Sequence, residues 1–226
     1  MNPNSEKNNS VFNIQKNNPR LKLDIAGYDI CAIPTGLFGL DGGAMFGTVP
    51  KVLWQKSNPA DENNRIPMEA RALLLKAKDP NTKHKNILID TGNGSDFIAK
   101  YGEKLGSQFK DMYTLDENGP NLISSLKVHG LEPHDITDVI LTHLHFDHAG
   151  GATCAIPNTN ELAPTFPKAM YYVQKSNLET AQHPNRRERA SYFAANFEPL
   201  MTAGQLTLID GDTKNILPNI SVVVSN

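Results

Sequence analysis

The sequence predicts an α/β fold, a β-sheet covered by helices within one continuous domain. Three observations carry this expectation. Alternating apolar and polar residues around Gly27 mark two short strands, residues 21–25 and 28–33, as hairpin partners. Beyond residue 70, short apolar runs alternate with segments of helical period. No internal repeat or heptad breaks the series, which argues against a solenoid or a coiled coil.

Taken in order, residues 1–20 are rich in asparagine and lysine and read as a disordered lead-in, with the domain expected over residues 21–226. The glycine-rich stretch 35–47 contains neither the GxGxxG nor the GK[ST] pattern of a phosphate cradle. It is expected instead to be a loop lining a site, with Met45 and Phe46 as an apolar wall. Residues 50–67 read as a long polar loop carrying the only tryptophan, Trp54. A lid or substrate wall and an exposed insertion are both open readings of that loop. Strands are expected at 71–77 and 86–90, joined by the turn Asp79-Pro80-Asn81. The second ends at Asp90, before Thr91-Gly92-Asn93-Gly94, where an α/β sheet commonly opens onto its site. Helices are expected at 96–105 and 121–129, the latter stopped by Gly130. A strand follows at 138–144, then a proline-containing loop at 153–167 and a strand at 169–174. Short helices at 176–182 and 187–195, and strands at 206–209 and 220–224, complete the series.

Composition narrows the function. A chain of 226 residues can bury a substantial core, and 39% apolar with 20% charged residues fits a soluble globular protein. The net charge of -2 gives no basic field for nucleic acid or an anionic membrane, so neither is expected as a partner. No apolar run approaches the roughly 20 residues that span a bilayer. The N-terminal residues hold no apolar signal core, so a cytoplasmic location is expected, although a signal removed before residue 1 would leave no trace. Cys31 and Cys154, far apart and in no CxxC pattern, are not expected to pair. Cys154 follows closely on a histidine cluster, but a small buried thiol explains it better than a nucleophile or ligand does.

That cluster is Thr142-His143-Leu144-His145-Phe146-Asp147-His148-Ala149-Gly150-Gly151, at the end of the apolar run Val139-Ile140-Leu141. Imidazole and carboxylate are ligands for a borderline divalent metal such as zinc. His143 and His145, two apart, face the same way on extended backbone. Asp147 and His148 follow where Gly150-Gly151 lets the chain turn, so the segment can offer two ligands to each of two neighbouring ions. As mere packing, each histidine would need its own buried hydrogen-bond partner. His84, His129 and His134 read as surface residues, as does His183 before Pro184. Arg186-Arg187-Glu188-Arg189 is mixed in sign and lacks interleaved aromatics, so it reads as a solvated helix face.

The segment Thr142 to Gly151 resembles the HxHxDH signature of the metallo-β-lactamase-fold hydrolases. Within that superfamily, Leu40-Asp41-Gly42-Gly43-Ala44-Met45-Phe46-Gly47, Val49-Pro50-Lys51 and Ile87-Leu88-Ile89-Asp90-Thr91-Gly92 are similar to the branch of N-acyl-homoserine lactonases and methyl-parathion-type hydrolases. The resemblance implies an αββα sandwich and a site for one or two zinc ions, other divalent metals being acceptable. His143 and His145 would serve the first ion, Asp147 and His148 the second, and Asp90 would hold the ligand segment in place. It implies attack by a metal-held hydroxide on a small ester-like substrate, with Asp147 steering the hydroxide and the leaving group's proton. A lactone is the first choice, and a thioester, a β-lactam or an organophosphate is the alternative. A homodimer is compatible with it. The family also uses a third histidine, a bridging aspartate and a further histidine, which nothing after His148 matches unless His183 is recruited. The resemblance therefore implies a truncated member with the C-terminal part of the fold incomplete and strand edges exposed to aggregation. A catalytically defunct, weakly metal-binding fragment is the alternative of another class.

Overall fold

The computed structural model describes residues 23–116 and 118–225. The expected lead-in, residues 1–20, lies outside them. The chain opens with β1 (Leu23–Ile25) and β2 (Tyr28–Asp41), then two short helices, α1 (Gly42–Phe46) and α2 (Lys51–Trp54). β3 (Arg65–Ala77) and β4 (Asn86–Ile89) follow, then α3 (Phe97–Tyr101), α4 (Glu103–Tyr113) and α5 (Leu122–Val128). β5 (Asp138–Ile140) leads into α6 (Phe146–Ala149), and β6 (Thr153–Ala155) pairs with β7 (Leu162–Pro164). The rest comprises β8 (Met170–Gln174), α7 (Lys175–Gln182), α8 (Glu198–Thr202), β9 (Leu206–Ile209) and the hairpin β10 (Thr213–Leu217) with β11 (Ile220–Val222).

Seven strands form one mixed sheet in the order β1-β2-β3-β4-β5-β8-β9. Pairing is antiparallel from β1 to β4 and parallel from β4 through β5 and β8 to β9. Alternation along the strands sorts the side chains onto two faces. Leu74, Leu88, Val139, Tyr171 and Val173 point into the main core, against Leu122 and Leu126 of α5, Leu178 of α7 and Leu200 of α8. Leu75, Ile87 and Ile140 point the other way, where Leu217 of the β10–β11 hairpin joins them. The α/β class and the large mixed sheet are as expected. Of a second sheet packed across the first, the described residues contain this two-stranded hairpin on the opposite face.

Several boundaries differ from the sequence expectation, for identifiable reasons. The strand expected to stop near Ile33 runs on to Asp41, because β3 pairs with it from Tyr28↔Ala77 to Asp41↔Arg65 and a register shift between Pro34 and Gly36 absorbs the proline. Residues 35–41, expected as a loop, are therefore strand. The polar stretch 50–67 contains α2 and the start of β3. The helix expected at 96–105 is two helices broken at Gly102, whose φ of 81° is left-handed. The strand expected to reach Leu144 stops at Ile140. Residues 153–167 form a small hairpin instead of a loop, and 187–195 hold 3-10 turns instead of one helix. β10 and α8 had no expected counterpart. Among the described residues, no helix is long and apolar enough to cross a membrane.

The parallel core of the sheet positions the cluster. β4 and β5 lie side by side in register, Leu88 opposite Val139, so Asp90 and the segment after Ile140 leave the same sheet end together. Leu144, between two of the histidines, is fully buried in the main core and ties them to it. Leu144→Ala is therefore expected to cost about 2–5 kcal/mol in denaturant-induced unfolding. A cost below about 1 kcal/mol would mean that the ligand segment is not anchored through this side chain.

Candidate metal centre

Asp90 directly follows β4 with a φ of 62°. A non-glycine residue in that left-handed region costs roughly 1–2 kcal/mol, tolerated here because the rest of the site depends on it. The carboxylate is almost fully buried and accepts from the Thr142 N–H at 2.8 Å and from Thr142 Oγ1 at 2.8 Å. It also accepts from His148 Nδ1 at 2.8 Å. One side chain thus fixes both ends of the ligand segment. The preceding turn reinforces it: Thr91 donates to the His148 carbonyl through its N–H at 2.7 Å and its hydroxyl at 2.8 Å.

The chain bends at Thr142, His145 is extended, and α6 then carries Asp147 and His148. Gly150 and Gly151 are required by close approach. A Cβ on Gly150 would lie 2.2 Å from the Asn93 carbonyl oxygen, and one on Gly151 would lie 2.4 Å from that of Thr91. The resulting turn gathers the side chains. The His143 ring lies 4.5 Å from that of His145 and 4.0 Å from that of His148, and His148 Nε2 is 3.4 Å from Asp147 Oδ2. His143, His145, Asp147 and His148 thus lie side by side, with Asp90 bonded to His148 behind them. α6 folds His148 back onto His143.

The electrostatics of the cluster divide its members. Burial lowers the pKa of His143, and His148 and His145 deepen the effect, to about 4. His145 is also lowered, chiefly by burial. Burial would lower His148 too, but the Asp147 and Asp90 carboxylates outweigh it and hold its pKa at about 9. Burial would raise Asp147, yet its contacts with His148 keep it below the usual carboxylate range. At neutral pH the metal-free cluster therefore holds two neutral imidazoles beside an ionised Asp147–His148 pair.

Further neighbours left no sequence signal, because they are distant in the chain and of ordinary type. Asn177 on α7 accepts the Leu144 N–H at 2.9 Å and steadies the strand-like half of the segment. Tyr192 bridges to His145 through the backbone and lies edge-on to its ring at 4.7 Å. Together with Phe109, Tyr113, Phe193 and Met112 it lines an apolar cavity of about 400 Å³ on one flank of the cluster. Thr142 and His143 also line a cleft of about 540 Å³ beside β11. The candidate pocket residues Met45, Phe46 and Trp54 are placed otherwise: Phe46 and Trp54 stack on each other at 5.0 Å, Met45 is exposed, and the ring contacts of the cluster include none of them. His183 caps α7 as an exposed residue outside the cluster. His84, expected as a plain surface residue, instead engages the buried Asp138 carboxylate at 2.9 Å, a long-range pairing invisible in sequence.

The donor set, three imidazoles and a carboxylate with His148 Nδ1 already tied to Asp90, suits a borderline divalent metal and leaves Nε2 of that ring for coordination. Catalytic zinc usually takes three protein ligands, and among the described residues no group of three or more His, Cys, Asp or Glu side chains is arranged to hold one ion. The donor types thus suit a metal in their chemistry, while the described residues do not bring together a complete set of ligands for one ion.

The metallo-β-lactamase superfamily model matches residues 73–153, from β3 through the cluster. An N-acyl homoserine lactonase from Bacillus sp. is 34% identical over 104 residues, which is 45% of this chain and 37% of that protein. The crystal structure of a probable metal-dependent hydrolase from Staphylococcus aureus is 28% identical with a TM-score of 0.69, over 86% of this chain and 63% of that one. A dizinc quorum-quenching lactonase, solved with its product, shares the fold at 22% identity and a TM-score of 0.56, over 84% of this chain and 61% of that one. The chain therefore spans less than two thirds of the length of these relatives.

The raised pKa of His148 has a consequence for the metal-free chain. Its folded value, about 9, exceeds the unfolded 6.5, so its stabilising contribution is complete below about pH 6.5 and is lost as pH rises through 9. Thermal unfolding in a metal chelator is expected to show a falling midpoint between pH 6.5 and 9, and Asp90→Asn is expected to flatten that fall. A midpoint that holds constant or rises over this window would contradict the pairing.

Proposed function

On the premise that the chain carries a metallo-β-lactamase superfamily domain, we propose that it is a metal-dependent hydrolase of a small ester-like substrate, with a lactone as the preferred class. The observation that carries this reading is the packed cluster of His143, His145, Asp147 and His148, anchored by Asp90 at the sheet end and opening beside an apolar cavity. His143 and His145 would hold one ion, Asp147 and His148 a second, and zinc suits the donor set best. When bound, such a metal supplies Lewis acidity and a water acidified to near neutral pH.

The chain's own residues supply the rest. Asp90 fixes which nitrogen of His148 is free, since its carboxylate takes Nδ1. Asp147, held ionised, can accept a proton at its carboxylate and pass it toward a leaving oxygen. The aromatic wall of Phe109, Tyr113, Tyr192 and Phe193 offers a surface for the apolar part of a substrate. The named relatives that act on N-acyl homoserine lactones support the lactone choice over a thioester, a β-lactam or an organophosphate.

A second reading rests on the described residues holding no group of three ligands arranged for one ion: the chain binds metal weakly and turns nothing over. The two separate in one assay. The zinc-loaded chain is offered N-acyl homoserine lactones, a thioester, a β-lactam and an organophosphate, with metal content measured alongside. Lactone opening is expected to exceed the others, to vanish with chelator, and to fall roughly 10- to 100-fold or more in His145→Ala. Bound zinc without turnover of any substrate would favour the second reading, and turnover that survives chelation would sink both.

A further inference from the structure

Among the described residues, Lys100 is the one buried lysine or arginine, and the proposed chemistry does not use it. It sits on α3, 8% exposed, and its ammonium donates to the Gly150 carbonyl at 2.6 Å and to the Thr153 carbonyl at 3.1 Å. Burying an ammonium is costly, and two carbonyl acceptors could be satisfied by cheaper neutral donors. The location of those carbonyls accounts for the choice. Gly150 ends α6, the helix that carries Asp147 and His148, and its N–H closes that helix on the Phe146 carbonyl at 2.9 Å. Gly151 donates to the Gly92 carbonyl at 3.0 Å, so the same turn is pressed against the residues after Asp90. Asp90 and Thr91 hold the ligand turn from one side, and Lys100 holds it from the other.

We propose that Lys100 is a positioning residue for the Asp147–His148 half of the site: its ammonium, bonded to the Gly150 and Thr153 carbonyls, fixes the turn on which those two ligands ride. The proposal rests on the metal-hydrolase reading above and assigns a specific task within it. Burial lowers the pKa of Lys100 to about 8, while Asp96 and Cys154, which face it, oppose the shift. The Tyr101 ring, 5.6 Å away, is the other group against the ammonium. The ammonium is therefore mostly charged at pH 7 and loses its proton as pH rises through about 8.

The test compares the wild-type chain with Lys100→Met, which keeps the length and loses the donors, and with Lys100→Arg, which keeps a charge. Each metal-free chain is titrated with cobalt(II), followed by visible absorption and calorimetry, while hydrogen exchange reads the amides of residues 150–153. Lys100→Met is expected to leave the first binding event unchanged, weaken the second roughly tenfold, and deprotect those amides, with Lys100→Arg recovering part of the loss. Equal affinity for both ions in wild type and Lys100→Met overturns this proposal alone. A wild-type chain that binds no cobalt overturns the metal reading and the proposal with it. Should Lys100→Met fail to fold, the wild type decides. Protection of those amides in the metal-free wild type, corrected for intrinsic exchange, is expected to fall between pH 7 and 9, and invariance would refute the clamp.

Discussion

The carboxylate of Asp90 receives the N–H and hydroxyl of Thr142 and the Nδ1 of His148, and the arrangement of the candidate centre depends on those three bonds. They join two adjacent parallel strand ends to the helix that carries half of the proposed ligands. They require Asp90 to adopt a left-handed backbone at the very end of β4. That conformation is costly in isolation, and the sheet sustains it, since the Asp90 N–H is also bonded to the Ile140 carbonyl at 2.9 Å. Without the carboxylate, His148 would lose the partner that sets its tautomer, and Thr142 would lose the bonds that aim the next residue, His143.

The sheet beneath this point is shaped to deliver it. Parallel pairing of β4 with β5 brings residues some fifty positions apart to one end, and the alternation of Leu88 with Ile87 and Ile89 seals one face against α5 and α7. Gly150 and Gly151 let the turn after α6 approach Asn93 and Thr91 more closely than any side chain would permit. Packing, backbone geometry and one buried carboxylate therefore act on the same few residues. The neutral state of His143 and the paired state of Asp147 and His148 follow from that crowding.

Much of this was legible in the sequence, because the signals were local. Three histidines and an aspartate in six positions announce their chemistry without a fold, and Asp90 at a strand–glycine junction announces its place. The helix 122–128 was legible through the Gly130 stop, while its Asn121 cap was read as part of the helix. What escaped was set by distant partners. β2 continues through a glycine-rich stretch only because β3 pairs with it, and Gly102 divides a continuous helical pattern. Tyr192, Asn177 and Lys100 reach the site from elements with no motif of their own. Met45, Phe46 and Trp54 were singled out by composition, and two of them spend their apolar surface on each other.

Metal binding by the imidazoles of this one turn, with Asp147, is open to direct measurement. X-ray absorption at the zinc edge of the zinc-loaded chain tests it most directly. Nitrogen and oxygen ligands at about 2.0–2.2 Å are expected, with imidazole scattering that falls when His143 and His145 are both replaced by alanine. A sulfur shell at about 2.3 Å, or a spectrum whose imidazole scattering is absent or survives that double replacement, would contradict metal binding by these residues.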